Sequence, residues 1–477
     1  MNPLLVANFL GWLLLILSAM ELLPMIAALI FGESILPYAA SAMAALVCGL
    51  SIVVCVPVTD TRMRIRDGFL VVIGAWVLAS VFGSLPYDLT GTLEPVDALF
   101  ESVSGFTTTG STVMTHIDGV PRALLLWRSI TQWMGGMGII LFAVALMPLL
   151  GVGGMRLFKA EVPGPVADKL TPRIAETARR LWFIYVGFTA VEWILLVVAG
   201  MTPYQALCHA LTTMSTGGFS TKDESIGDFN SPLVEWIIIV FMVLASINFM
   251  IHYRLLTGRI RIALADSELR YYLLLLIGAT GVVVWVLSGA SEVAAVRVAL
   301  FQVVSIVTTT GYATADFEKW PTLALLVVLQ LMILGGMAGS TSGGVKSLRV
   351  LIGLRAMANV FNQSWHRSEV RHPVRYGGKA IPVQVLAGIW AFFALYGMIV
   401  AVVALIVAAA GYDIVTAVTA ALTAVGNVGP GLGEIGPFDN FAHFPAIVKL
   451  VLCGGMIAGR LELFTVLILF HRDFWRY

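Results

Sequence analysis

Apolar residues run along this chain in blocks of about twenty, the length a helix needs to cross hydrocarbon. The blocks lie near residues 5–31, 36–57, 68–87, 123–150, 181–200, 233–251, 271–289, 321–344, 383–409 and 445–469. The pattern predicts ten spanning helices and an all-α membrane protein. Four of the segments between blocks, all on one side, are long. Each of these contains a second, semi-apolar helical pattern too short to span, opened by a residue suited to helix capping: Asp97, Thr202 followed by Pro203, Ser291 with Glu292, and Asp413.

Each short pattern runs into a stretch rich in threonine and glycine. The first is TTTGST at 107–112, then STGGFST at 215–221, TTTGYAT at 308–314 and GNVGPG at 426–431. The resemblance extends upstream, because ALFESVSGFTTTG from Ala98 and ALFQVVSIVTTTG from Ala299 share nine of thirteen positions without a gap. A turn has no reason to carry its preceding helix with it, so these are internal repeats. Aligned on Ala98, Ala206 and Ala299, the first three place Gly110, Gly218 and Gly311 in one column, and matching the fourth on Asn427, Val428 and Gly429 completes it. The expected architecture is four helix, pore-loop, helix repeats in a pseudo-fourfold arrangement, preceded by two N-terminal transmembrane helices. In residue numbers these are 1–67 for the two leading helices, 68–180, 181–270, 271–380 with a basic inner linker, and 381–477 for the repeats.

Composition agrees: 59% of the 477 residues are hydrophobic and 12% charged, far from a soluble globular balance. Net charge is +1 and uninformative, but its distribution is not. Lys and Arg gather at 58–67, 151–180, 252–270, 345–380 and 470–477, which hold 22 of the 29. All fall on one side of an alternating chain, so the positive-inside bias puts that side and both termini in the cytoplasm. The N-terminal apolar run lacks a signal peptide's basic start and small-residue cleavage site and is expected to be a retained helix. Four cysteines without ligand spacing are expected to be buried in apolar surroundings. The opposite face carries acidic residues, among them Asp97, Asp118, Asp223, Glu318, Glu434 and Asp439, which could concentrate cations or simply be solvated loops.

Backbone that leaves helix at membrane depth survives only if buried in protein or lining an aqueous path, since each unsatisfied peptide group in lipid costs several kcal/mol. Four such loops around one axis satisfy this together. Their carbonyls can replace the water shell of a monovalent cation, and glycine allows the dihedrals that turn successive carbonyls the same way. The candidate filter is Thr108, Thr109, Gly110, Thr216, Gly217, Gly218, Thr309, Thr310, Gly311, Asn427, Val428 and Gly429. Hydroxyls of Thr109, Thr216 or Thr310 could add oxygens.

The helix opening near Pro321 contains GGMAGSTSGGVK at 335–346, with five glycines in ten positions, each costing helix about 1 kcal/mol. It is expected to unwind below the third filter loop and project Gly335, Gly336, Gly339, Ser340, Thr341, Ser342, Gly343 and Gly344 into the path. GGMGII at 135–140 instead suits close helix packing. Arg460 sits in the apolar run MIAGRLELF, where a charge must face water or a partner. It can reach the carbonyls or hydroxyls of the unwound loop, or pair with Glu192 or Glu21. Glu462 is two residues away and points elsewhere. Glu21, Asn248 and Lys449 also lie within apolar runs and suggest no role.

Enzyme chemistry is not indicated: G-x-S-x-G and H-E-x-x-H are absent, as are a phosphate-binding P-loop and G-x-G-x-x-G after a strand. No nucleotide site is expected on this chain, and nothing points to nucleic acid. Broken helices also occur in coupled transporters, but repeats running in one direction favour a channel-like pore over alternating access.

The four filter stretches, with GGMGII, GGMAGSTSGGVKSLR and GGMIAGRLE after the first, third and fourth, resemble the Trk, Ktr and HKT superfamily of potassium transporters. The resemblance covers essentially the whole chain and is greatest to the bacterial Trk-type membrane subunit family (TrkH/TrkG), because two helices precede the first repeat. It implies potassium uptake across a bacterial inner membrane, with Rb+ accepted and with glycine rather than serine in the first filter column. It also implies that residues 335–346 gate the pore with Arg460 beneath the filter, that the subunit is a homodimer in the lipid bilayer, and that its basic inner linkers dock a TrkA-like cytoplasmic nucleotide-binding regulatory subunit.

Overall fold

The computed structural model describes residues 1–57, 64–145, 170–287, 292–365 and 373–476. Among them almost everything is helix, apart from a two-residue hairpin pairing Arg375–Tyr376 with Lys379–Ala380 across Gly377 and Gly378. Each of the ten expected apolar runs contains helix, yet among the described residues only six helices are both long and apolar enough to cross a membrane unbroken. These are the two leading spans, Pro3–Phe31 and Leu36–Cys55, and the first helix of every repeat: Arg66–Leu89, Glu176–Val198, Ser267–Leu287 and Val383–Ala409.

The second helix of each repeat departs from that pattern. Arg122–Ala145 carries Arg128 and Gln132 into the interior. Pro232–Ser246 bends by 100° into Phe249–Leu256, Thr322–Leu334 ends at Gly335, and Ala446–Arg460 bends by 114° into Leu463–Phe470. The unwinding at 335 was expected; those at Ile247 and Leu461 were not. Asn248 explains the first, since its side chain caps the new helix by accepting from the Met250 amide at 2.8 Å. At the second, Glu462 takes a φ of +66° and pairs with Arg349. First helices face lipid and need only hydrophobicity; second helices line the interior, where polar side chains can resolve a break.

Four short helices descend between these pairs: Pro95–Phe106, Pro203–Met214, Glu292–Val307 and Ile414–Gly426. Thr202 and Asp413 cap theirs as expected, Thr202 accepting from the Gln205 amide and Asp413 from those of Val415 and Thr416. Ser291 lies outside the described residues. Asp97 is not a cap: the first short helix begins one residue after Glu94, and Asp97 pairs with Lys449 at 2.5 Å. That contact joins the last repeat to the first, so the four units close on each other, and it gives Lys449 its role. Glu21 receives the Ser41 hydroxyl at 2.9 Å between the leading helices. Cys208 and Cys453 are buried as expected, whereas Cys48 and Cys55 are exposed on the second leading span. Lipid-facing and core positions are equally apolar in a membrane protein, so hydropathy could not separate them.

Candidate ion-conduction site

Each short helix ends in a loop with one backbone signature. Thr108, Thr216, Thr309 and Asn427 have φ of 52°, 53°, 57° and 53°, and two residues later Gly110, Gly218, Gly311 and Gly429 have φ of 86°, 77°, 80° and 103°. Left-handed backbone at a threonine is strained, and here it recurs at the same place in three loops. Main-chain bonds hold it: the Thr109, Gly217 and Thr310 amides reach back to Ser104, Thr212 and Ser305 at 2.9 Å, and Val428 to Thr423 at 3.1 Å. The fourth alignment, made on Asn427, Val428 and Gly429, is therefore the one the backbone adopts. Thr216 falls in the column of Thr108 and Thr309 rather than with Thr109 and Thr310.

The four loops interlock in sequence order. A Cβ on Gly110 would lie 2.2 Å from the carbonyl oxygen of Gly217, one on Gly218 1.8 Å from that of Thr310, one on Gly311 2.3 Å from that of Val428, and one on Gly429 3.0 Å from that of Thr109. Each glycine thus faces the residue just before the next glycine, and the series returns to its start. All four glycines line one vestibule, with Asp223 and Asp439 on its wall. Most of the threonine hydroxyls are engaged with protein, Thr109 with Thr107 at 2.7 Å and Thr310 with Thr308 at 2.8 Å, whereas buried Thr108 Oγ1 has no partner among the described residues. Asn427 donates to Thr109 Oγ1 at 2.9 Å, across the fourth and first loops.

Residues unforeseen from sequence hold the ring from behind. Buried Gln132 donates to the Gly217 carbonyl at 2.7 Å and accepts from the Phe219 amide at 3.1 Å. One turn earlier, Arg128 pairs with Glu101 at 2.6 Å, donates to the Ser220 carbonyl at 2.9 Å and lies 3.6 Å above the Phe219 ring. Glu101 in turn accepts from Val113 N at 3.0 Å. The only signal for either was a polar residue inside an apolar run, the same signal that marked Arg460. GGMGII packs as expected: a Cβ on Gly135 would sit 2.0 Å from the Phe106 carbonyl oxygen, at the end of the first short helix.

The glycine-rich stretch does unwind, and lies directly against the inner ends of the loops. Gly343 N donates to Thr309 Oγ1 at 2.6 Å, Gly344 N to the Gly426 carbonyl at 2.8 Å, and Thr341 Oγ1 to the Met214 carbonyl at 3.2 Å. Three of the four loops are touched by one segment. Met337 N donates to the Ser246 carbonyl at 3.0 Å and Phe249 N to that of Gly339 at 3.1 Å, so the segment fits the break in the second repeat. The Ser340 hydroxyl turns inward to Met337 O, and Gly335, Gly339 and Gly344 take positive φ. Arg460 NH1 donates to the Thr341 carbonyl at 2.7 Å. Among the described residues its remaining guanidinium nitrogens have no partner, nor do the oxygens of Glu192, and Glu21 is turned to Ser41, so neither alternative ion pair is made.

At the outer mouth two acidic groups are already neutralised, Asp118 by Lys222 at 2.9 Å and Asp316 by Lys319 at 2.9 Å. The hydrogen bond to Asp118 raises the Lys222 ammonium above its ordinary pKa. Burial raises the Glu318 carboxyl, partly offset by the Gly433 amide. The acidic surplus in the sequence is thus smaller as a field than as a count. Among the described residues no group of three or more metal-ligating side chains is assembled, so the polar chemistry here is that of carbonyls and hydroxyls.

Comparison with known proteins gives consistent answers. The family model TrkH, described as a cation transport protein, matches residues 41–477. The Trk system potassium uptake protein TrkH of Halomonas elongata is 39% identical over 99% of both chains. Its counterpart in Salmonella typhimurium is 39% identical over 87% of each. The crystal structure of the potassium transporter TrkH from Vibrio parahaemolyticus superposes with a TM-score of 0.92, covering 100% of both chains at 35% identity.

Proposed function

The chain belongs to the TrkH family of cation transport proteins, and on that premise we propose that it takes up K+ through the ring of four loops, with residues 335–346 as its gate. It is a multi-pass membrane protein and not an enzyme. One observation carries the proposal: four glycines, each at positive φ, each meeting a carbonyl of the next loop, around one vestibule. A monovalent cation gives up hydration only where oxygens replace it at matched distance, and a closed ring of backbone oxygens provides that. Helices that end at the ring present their unsatisfied carbonyls, and so partial negative charge, to the cavity. Rb+, close to K+ in size and hydration, is accepted by the same oxygens.

The gate reading rests on what residues 335–346 touch. They occupy the space under three loops and are pinned by Arg460, whose charge there raises a barrier to cations. Each of the three loops is met through one hydrogen bond, which suits a segment that has to move. The helix Ser347–Trp365 leaves this segment directly and exposes Leu354, Met357 and Val360 at helical spacing. It is the proposed lever through which a cytoplasmic nucleotide-binding regulatory subunit acts on the gate. A place in a bacterial inner membrane is supported by the bacterial relatives, and cytoplasmic termini by the basic residues of the inner segments; the homodimer is proposed on the resemblance alone.

Substituting Gly311→Ser tests the filter reading. A side chain there meets the Val428 carbonyl oxygen at 2.3 Å and disfavours the positive φ, so discrimination against Na+ should fall. Unchanged selectivity in a folded variant would refute the assignment.

A further inference from the structure

Below the ring the four loops are fastened by main-chain bonds, but the strand leaving each glycine has no such tether to its own helix. It is held instead by a side chain of the short helix of the same repeat. Glu101, nine residues before Gly110, takes the Thr112 hydroxyl at 3.0 Å and the Val113 amide at 3.0 Å. His209, nine before Gly218, meets the Ser220 hydroxyl through Nε2 at 3.1 Å. Gln302, nine before Gly311, accepts from the amides of Thr314 at 2.8 Å and Ala315 at 3.2 Å when its amide is oriented by those donors. In the fourth repeat that place holds Ala420, and its neighbour Thr419 both accepts from the Leu432 amide at 3.1 Å and donates to the Leu432 carbonyl at 3.0 Å.

We infer that Glu101, His209, Gln302 and Thr419 are equivalent positioning residues, a brace in each repeat that sets the outgoing half of its filter loop and so the width of the ring. The inference rests on the filter reading and goes beyond it, since none of the four faces the permeating ion. All four are buried, three fully and Thr419 at 2% exposure, so their polar atoms turn to the strand rather than to water. Their chemistry differs while their target does not. What the position demands is a side chain of the right reach that can bond to main chain or hydroxyl groups two to four residues past the glycine. Only Glu101 needs a counter-charge, and Arg128 supplies it while passing the constraint to the second loop at Ser220. Carbonyls free to shift lose discrimination between cations before they lose conduction, because selectivity depends on fixed oxygen distances or on their number.

The decisive experiment is rubidium uptake by the purified full-length protein in liposomes, competed with K+ and with Na+, for the wild type, Gly311→Ser, Gln302→Leu, Thr419→Val and Thr419→Ser. Thr419→Val keeps the shape and removes the hydroxyl, so it decides the matter should Gln302→Leu fail to fold. The K+ over Na+ preference should fall about fivefold in Gln302→Leu and about threefold in Thr419→Val, from the loss of one or two buried hydrogen bonds. Thr419→Ser should keep the wild-type preference. Wild-type preference in both Gln302→Leu and Thr419→Val, with Gly311→Ser impaired, overturns the brace and leaves the filter standing. Equal loss in Thr419→Val and Thr419→Ser also overturns it, by showing a packing effect. Wild-type preference in Gly311→Ser as well removes the filter reading on which the brace depends.

Discussion

The ring of loops and the segment beneath it are built on opposite plans. The ring draws one backbone conformation from each of four repeats, and its contacts between repeats are main chain against main chain at spacings that exclude even a methyl group in three of four places. The segment at 335–346 is one unwound stretch of the third repeat, held by individual hydrogen bonds: it donates to Thr309 Oγ1 and to the carbonyls of Met214, Gly426 and Ser246, and it accepts from Arg460 and from the Phe249 amide. Interlocked backbone cannot relax one side at a time, whereas separate hydrogen bonds can be broken in turn. On the proposed function, selection and gating fall to different physical constructions a few ångströms apart.

The largest expected effect breaks the ring. Gly218→Ala puts a Cβ 1.8 Å from the Thr310 carbonyl oxygen at a φ of +77°, where the left-handed backbone alone costs about 1–2 kcal/mol. Rubidium uptake should fall more than roughly tenfold. Gly429→Ala, with 3.0 Å to the Thr109 oxygen, should lose clearly less in the same assay. Equal losses would mean that the close approaches do not govern the ring.

Arg460→Gln comes next and acts on the other construction. Losing a charged hydrogen bond of about 1.5–3 kcal/mol to Thr341 should raise flux several-fold while K+ over Na+ preference stays unchanged. A change in preference without a rise in flux would join the two regions that the comparison separates. The smallest effect is Asn248→Ala, which removes the cap of Phe249–Leu256 and should cost about 1 kcal/mol of stability. A thermal midpoint lowered by a few degrees, with selectivity intact, is the expected reading.

The contrast also explains what could be read from the sequence. The ring was legible because repetition preserves it: TTTG appears twice, and two caps, Thr202 and Asp413, stand where the spacing put them. The glycine-rich break was legible because five glycines are incompatible with a stable helix. The bends at Ile247 and Leu461 were not: no glycine or proline marks the first, which the Asn248 cap resolves locally, and at the second Gly454, Gly455 and Gly459 stay within the helix while Glu462 turns to Arg349, 113 positions away. Asp97 misled because helix-start chemistry and a salt bridge to a residue 352 positions away look alike in sequence. The braces were hidden for a further reason. Glu, His, Gln and Thr share no side-chain identity, only the strand they hold.

Rubidium uptake by the wild-type protein in liposomes, with no gradient of any other ion and with K+ or Na+ as competitor, tests the central claim most directly. K+ should suppress uptake at far lower concentration than Na+. Equal suppression by the two ions, or no uptake until a Na+ or proton gradient is imposed, would contradict a selective pore and move the four repeats to the service of a coupled transporter.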